Sequence, residues 1–257
     1  MLNVAVLASG RGSNFEAIVE HETLGIFNGV NIAVLIYNHA EANAVKIAEK
    51  YGVPAVFIEY RGKSRVAFEG ELLDTLKSRN IDLACLSGWD QIAGAKLFEA
   101  YRRRMMNIHP ALLPAFGWKG LDGRFVHRAI LEFGAKITGV TVFYVDISVD
   151  GGPIIVQDPA EVKEEELALL SSNVPGDAER AVEMLSDRVL VHEHRLYSKA
   201  IQLHADGRVR LEGNKTIIDY SRGWMEGWKE REQAFIDHQK RYWAEKKYAL
   251  DEVSKSC

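Results

Sequence analysis

Asn107 and His109 stand two residues apart in the stretch MMNIHP, which opens apolar and closes on Pro110. On a strand, residues i and i+2 share a face and lie about 7 Å apart along the backbone. Pro110 has no N–H to give to a sheet, so the strand ends there. An amide and an imidazole, the second able to give or take a proton near neutral pH, therefore sit side by side at a strand's carboxyl end. Such a pair is either a satisfied polar couple in a turn or one wall of a reaction centre.

A second stretch, ASGRGSNFEAI, joins the first strand pattern to the first helix pattern. Gly10 and Gly12 permit a tight turn and close backbone approach, and Ser13 and Asn14 suit a helix start. Free N–H groups and the helix dipole at that point favour an anion, most naturally a phosphate. The loop has neither the Gly-Lys-Ser/Thr of a nucleoside-triphosphate loop nor the third glycine of a dinucleotide fingerprint. VLIYNHAEA, at the second strand, offers no acidic residue for a ribose, which argues against a nicotinamide cofactor. A lone phosphate group or a merely capped helix remains.

Both stretches need a frame to hold them. NVAVLAS (3–9), VNIAVLIYN (30–38), PAVFI (54–58), DLACLSG (82–88) and MMNIH (105–109) read as strands. Helix patterns at 14–22, 41–51, 64–79 and 91–103 alternate with them, with apolar spacing such as Phe68, Leu72, Leu73 and Leu76. Strands without polar alternation, joined by helices, predict an α/β fold: a doubly wound, mostly parallel Rossmann-like sheet covered on both faces. Ligands in such sheets bind beyond the carboxyl ends of the strands, here at Ser9–Asn14, Ser87–Asp90 and His109. A loop at 114–124 and a helix at 125–134 follow, then longer strands at 135–146 and 153–162, a helix near 176–203 and the short strand GRVRLEG. Past residue 213 the composition shifts to a charged run with Trp224, Trp228, Phe235 and Trp243, expected to form a helix on the domain or on a neighbouring subunit. This predicts one domain over 1–213, in halves 1–104 and 105–213, and a helical extension over 214–257.

The bulk values narrow the setting. Of 257 residues, 47% are hydrophobic and 26% charged, as in ordinary globular chains. A formal charge of −4 gives no reason to expect nucleic acid or an anionic membrane as partner. Cys85 and Cys257 alone make neither a disulfide framework nor a cysteine-based zinc site. The N-terminus opens as a strand, without the charged start and long apolar core of a signal peptide, and no apolar run reaches membrane-spanning length. A cytoplasmic location is expected.

The motifs stand in a known order: SGRGSN, then NIHPALLP, then VDGGPII about 40 residues later, then HEHRLY in the last long helix pattern. Over roughly residues 1–212 the chain resembles the folate-dependent formyltransferase family. The N-terminal GSN narrows the resemblance to members that formylate glycinamide ribonucleotide, whose acceptor carries a phosphate. The resemblance implies 10-formyltetrahydrofolate as co-substrate, small-molecule substrates and no metal; a homodimer is compatible with it. It makes Asn107, His109 and Asp150 the catalytic group. The amide would donate to the formyl oxygen, the imidazole would polarise it and relay the amine's proton, and the carboxylate would favour the imidazolium or order a water. Asp150 before Gly151 and Gly152 is otherwise an ordinary turn former. The resemblance further places the phosphate against Gly12, Ser13, Asn14 and Arg65, the ribose against Glu193, and the folate against Trp89, Asp90, Gln91, Ile92, Val145 and Asp146. Arg65 and Glu193 read otherwise as solvated helix charges. His127 matches a histidine in the loop between the two halves.

Departures from the family pattern bear on the acceptor more than on formyl transfer. SGWDQI supplies Asp90 and Gln91 where relatives carry an apolar residue and then a basic one, which adds a carboxylate beside the folate. Phe143 stands where a histidine is frequent, the loop PAFGWKGLDGRFVH is long, and the tail has no counterpart. A formyltetrahydrofolate hydrolase and a formyltransferase for another phosphorylated or nucleotide-linked amine are the nearest alternatives. A non-catalytic folate- or nucleotide-binding protein is the reading from another class.

Overall fold

The apolar runs do pair as one sheet. The computed structural model describes residues 1–117, 123–221 and 223–244, with backbone only over 241–244. In chain order the elements are β1 (Leu2–Ala8), α1 (Ser13–Thr23), β2 (Val30–Tyr37), α2 (Ala44–Tyr51), β3 (Ala55–Phe57), α3 (Arg65–Ser78), β4 (Leu83–Leu86), α4 (Ala95–Ala100) and β5 (Met105–His109). There follow α5 (Arg124–Phe133), β6 (Ile137–Tyr144), β7 (Ile154–Glu161), α6 (Glu164–Leu170), α7 (Asp177–Ala205), β8 (Val209–Glu212), β9 (Lys215–Ile218) and α8 (Trp224–Ala244).

Seven strands lie in the order β3-β2-β1-β4-β5-β6-β7. The first five pair in parallel, and β6 and β7 run antiparallel. Alternation along β1 serves both faces. Val4, Val6 and Ala8 join the core that α1, α5 and α7 cover, while Ala5 and Leu7 join the core under α3 and α4. The strand order reverses between β1 and β4, the place where an open α/β sheet leaves a crevice. The expected doubly wound, mostly parallel architecture is the observed one.

Three elements differ from the sequence expectation. The helix expected over 91–103 shrinks to α4, and the Ile92 carbonyl ahead of it is taken by the Arg65 guanidinium of α3 rather than by a helical N–H. Helix α6 was not expected. Its buried Glu166 meets Arg188 of α7 at 2.5 Å, an interaction across 22 residues that no local pattern carries. Strand β9 pairs with β8 in a small hairpin of its own. Residues 118–122 of the long loop, the side chain of Trp243, and 245–257 with Cys257 lie outside the described residues.

The charged extension packs on the domain itself. Trp228 and Phe235 of α8 are buried, and His21 of α1 stacks on Trp228 at 6.2 Å with Phe235 at 3.8 Å. Arg195 of α7 pairs with Glu232, and Gln239 donates to Glu20 of α1. Burial pushes the His21 imidazole down from 6.5 to about 3, against the pull of the Ala17 carbonyl. The unfolded chain therefore takes up a proton below pH 6.5 that the folded chain refuses until about pH 3. Stability falls as pH falls through that window, by about 1.4 kcal/mol per pH unit for this residue. Between pH 7 and pH 5, urea unfolding of the wild type should lose about 2 kcal/mol more than that of His21→Leu. A difference between the two proteins that stays constant with pH would rule this out.

Candidate active site

The carboxyl ends of β1, β4 and β5 open on a cavity of about 430 Å³. Its frame is fixed from below by Tyr197 of α7. The buried hydroxyl lies 2.9 Å from the Leu86 carbonyl and 3.0 Å from the Met106 carbonyl, sharing its proton between β4 and β5. Asn107 follows directly, paired in register with Leu86 on one side and Phe143 on the other.

Asn107 and His109 both line the cavity, as their spacing on one strand face requires. The Asn107 Oδ1 accepts the Ile108 N–H at 2.9 Å, which leaves the amide Nδ2 to donate. Beyond the strand, Thr141 Oγ1 donates to the Ala111 carbonyl at 2.7 Å and accepts the Leu113 N–H at 3.0 Å. These bonds fix the turn that leaves His109. The His109 Nε2 donates to the Phe116 carbonyl at 2.9 Å, so in the neutral ring Nδ1 is an acceptor.

Facing Nδ1, at 3.7 Å, is Oδ2 of Asp150. Asp150 sits at φ 53, a left-handed conformation that Asp tolerates better than most residues. Gly152, two residues on, lies hard against the backbone: a Cβ there would stand 1.8 Å from the Tyr144 carbonyl oxygen. Burial lowers the His109 pKa, against the pull of the Asp150 charge and the Phe116 carbonyl. Burial likewise raises that of Asp150, against the pull of His109. The two groups titrate as a pair, with the imidazole driven toward its neutral form and the carboxyl toward its protonated one. His127 lies in the same wall; burial, with His109 and Arg11 nearby, holds it down to about 4. It is a neutral hydrogen-bonding group at physiological pH.

The Gly10–Asn14 loop supplies another part of the lining. Gly12 has φ 78 and backs onto Ala44, where a Cβ would come within 2.8 Å, so only glycine fits the turn. It precedes α1 directly, and the first-turn N–H groups of that helix form an anion-binding end. Asn14 Nδ2 donates to Glu193 Oε2 at 2.6 Å, joining α1 to α7, and burial raises the Glu193 pKa.

Of the residues expected at the site, Asn107, His109, Asp150, Gly12, Ser13, Asn14 and Glu193 line this one cavity. Trp89, Asp90, Gln91, Ile92, Val145 and Asp146 do so as well. Arg65, expected at the phosphate, does not. Its guanidinium is bound to Glu69 Oε1 at 2.9 Å and to the Ile92 carbonyl at 2.9 Å, so it reaches the cavity only through the loop it holds. The Asp90 carboxylate, expected as an added charge beside the folate, is occupied by side-chain donors. The basic group in the lining is Arg11, whose signal was its place between the two loop glycines. Leu190 and Val149 were also missed, having no motif to mark them. Among the described residues no cluster of His, Cys, Asp and Glu could hold a metal ion, and no helix is long and apolar enough to cross a membrane.

Residues 2–201 match the sequence profile described as formyl transferase. The trifunctional purine biosynthetic protein adenosine-3 of Bos taurus is 36% identical over 215 residues, which is 83% of this chain and 19% of that protein. This chain thus spans a small part of that relative's length. The phosphoribosylglycinamide formyltransferase of Bacillus subtilis is 33% identical over 203 residues, 79% of this chain and 94% of that protein. The crystal structure of glycinamide ribonucleotide transformylase 1 from Symbiobacterium toebii aligns with a TM-score of 0.75 at 35% identity, covering 85% of this chain and 94% of its own.

Proposed function

The chain belongs to the formyl transferase family, and from that premise we propose that it transfers the formyl group of 10-formyltetrahydrofolate to the amine of 5'-phosphoribosylglycinamide in de novo purine biosynthesis. One observation carries the proposal. Asn107, His109 and Asp150, far apart in sequence, meet in one cavity with the Gly10–Asn14 loop. A polarising pair and an anion-binding end within one enclosure suit a phosphorylated amine.

The division of labour follows from the geometry. The α1 first turn, Gly12, Ser13 and Asn14 would hold the phosphate with Arg11 as the neighbouring cation, and Glu193 would accept from ribose hydroxyls. Backbone groups of Trp89, Asp90, Gln91 and Ile92, with Val145 and Asp146, would hold the pterin end of the folate. Arg65 acts in this reading by fixing the Ile92 carbonyl rather than by touching the phosphate. When bound, the folate supplies the formyl carbon that the amine attacks. Asn107 then donates to the oxygen on which negative charge grows. His109 takes the proton given up by the amine at Nδ1, the nitrogen not bonded to Phe116, and once protonated there it donates to the same oxygen. Asp150 keeps that proton within the pair until it passes to the folate nitrogen, as the bond from that nitrogen to the formyl carbon breaks.

A coupled assay with 10-formyltetrahydrofolate and 5'-phosphoribosylglycinamide tests the proposal. Deformylation of the folate only when the amine is present is the expected result. Deformylation in water alone would make the protein a hydrolase, and none at all would leave a binding protein that keeps the fold.

A further inference from the structure

Asp90 is the most heavily bonded carboxylate at the rim of the cavity, yet its bonds run to other loops. Its Oδ1 accepts from Ser9 Oγ at 2.9 Å, Asn38 Nδ2 at 2.6 Å and Gln91 Nε2 at 3.0 Å. Its Oδ2 meets His39 Nε2 at 2.6 Å. The Asp90 N–H donates back to Ser9 Oγ at 3.0 Å, closing a reciprocal pair. Burial alone would raise this carboxyl, but the donors from His39, Asn38, Gln91 and Ser9 more than offset it and hold the group down to about 2. It is an anion at any physiological pH.

The partners matter because of where they sit. Ser9 is the last residue before the Gly10–Asn14 loop. Asn38 and His39 begin the β2–α2 connection, whose far end also grips that loop. Asn43 Nδ2 donates to the Arg11 carbonyl at 3.2 Å, and the Ala44 N–H to the Gly10 carbonyl at 3.2 Å. Asp90 itself belongs to the loop from Gly88 to Gly94, which Arg65 pins again through the Ile92 carbonyl. One carboxylate therefore ties together the two loops assigned above to the two substrates. A backbone bond from the Ser9 N–H to the Gly88 carbonyl, at 3.2 Å, lies beside it.

We propose that Asp90 is a positioning residue that couples the two substrate subsites, so that a phosphorylated ribose in the Gly10–Asn14 loop tightens folate binding at the Gly88–Gly94 loop, and the reverse. This rests on the assignment of the two loops under the proposed function. An anion drawing on the N–H groups around Gly12 fixes the loop that follows directly on Ser9. Ser9 then holds Asp90, and with it the backbone that faces the folate, in its binding position. Coupling of this kind is reciprocal by linkage and commonly amounts to about 5- to 150-fold.

Calorimetric titration of the full chain with tetrahydrofolate, with and without saturating ribose 5-phosphate, tests the coupling. The wild type should bind tetrahydrofolate at least about fivefold more tightly with ribose 5-phosphate present, and ribose 5-phosphate should gain by the same factor. In Asp90→Ala, and independently in the smaller change Ser9→Ala, both ligands should still bind but the ratio should fall to about one. Asp90→Asn, which keeps an acceptor for Ser9 and Asn38, should restore much of it. A wild-type ratio of one, or a ratio unchanged in both alanine variants, overturns the proposal while leaving the assigned function standing. Failure of tetrahydrofolate to bind the wild type at all overturns both.

Discussion

Replacing His109 by alanine is expected to cut turnover by at least about two orders of magnitude while tetrahydrofolate still binds. The size follows from what the ring does and how it is held. The imidazole is almost fully buried, fixed at one nitrogen by the Phe116 carbonyl and faced at the other by Asp150. Burial opposes its charging, so the uncharged ring keeps its N–H on the Phe116 carbonyl and offers Nδ1 as the proton acceptor. Loss of an oxyanion donor alone costs about 10²- to 10³-fold, and loss of a general acid–base adds to it without simple additivity. The remaining Asn107 amide and the substrate loops are untouched, so the loss should fall on kcat rather than on the folate dissociation constant. Steady-state kinetics with calorimetric binding separates the two. Near-wild-type turnover in His109→Ala would remove this residue from the chemistry.

How much of this could be read from the residues depends on the range of each signal. Asn107 and His109 are legible because a strand repeats every two residues, and a proline closing the strand marks which end they occupy. The α/β sheet is legible for the same local reason. Asp150 is not: a carboxylate before two glycines is a turn, and only the resemblance to relatives carried it across the sequence to His109. Arg65 shows a local signal that the resemblance passed over. Its helix position with Glu69 four residues on announces an i,i+4 pair, and that pair forms, with the guanidinium outside the cavity lining. Asp90 read as an extra charge beside the folate because its partners Ser9, Asn38 and His39 lie 81, 52 and 51 residues away. Helix α8 and its aromatic residues were visible, but the surface they pack on was not. Trp228 and Phe235 lie among so many charges that the apolar stripe is narrow, and the His21 ring that completes it belongs to α1.

Replacing Gly152 by alanine should lower kcat by about 100-fold although the residue touches no substrate. The added Cβ would lie 1.8 Å from the Tyr144 carbonyl oxygen and 3.0 Å from its carbon, so backbone rather than a flexible side chain must yield. Tyr144 cannot retreat freely. Its N–H is bonded to the Pro153 carbonyl at 2.9 Å, and its hydroxyl to His204 at 2.7 Å. With the Val145 N–H bonded to the Met105 carbonyl at 2.9 Å, the segment left to move is the loop from Asp146 to Gly151, which carries Asp150. A shift of about 1 Å there misplaces the acid relative to His109, and misplacements of that size cost about 10²-fold in rate. Overpacking should also lower stability by about 1–3 kcal/mol, so the rate is measured well below the unfolding midpoint. Gly70→Ala is the control, because a Cβ on that α3 residue meets nothing within 4 Å and alanine suits a helix interior better than glycine. Binding of ribose 5-phosphate, at a loop on another element, should survive in Gly152→Ala and show that the chain is folded. Full turnover in that variant would mean that the acid can be displaced without consequence, and the 3.7 Å approach of Asp150 to His109 would then carry no catalytic weight.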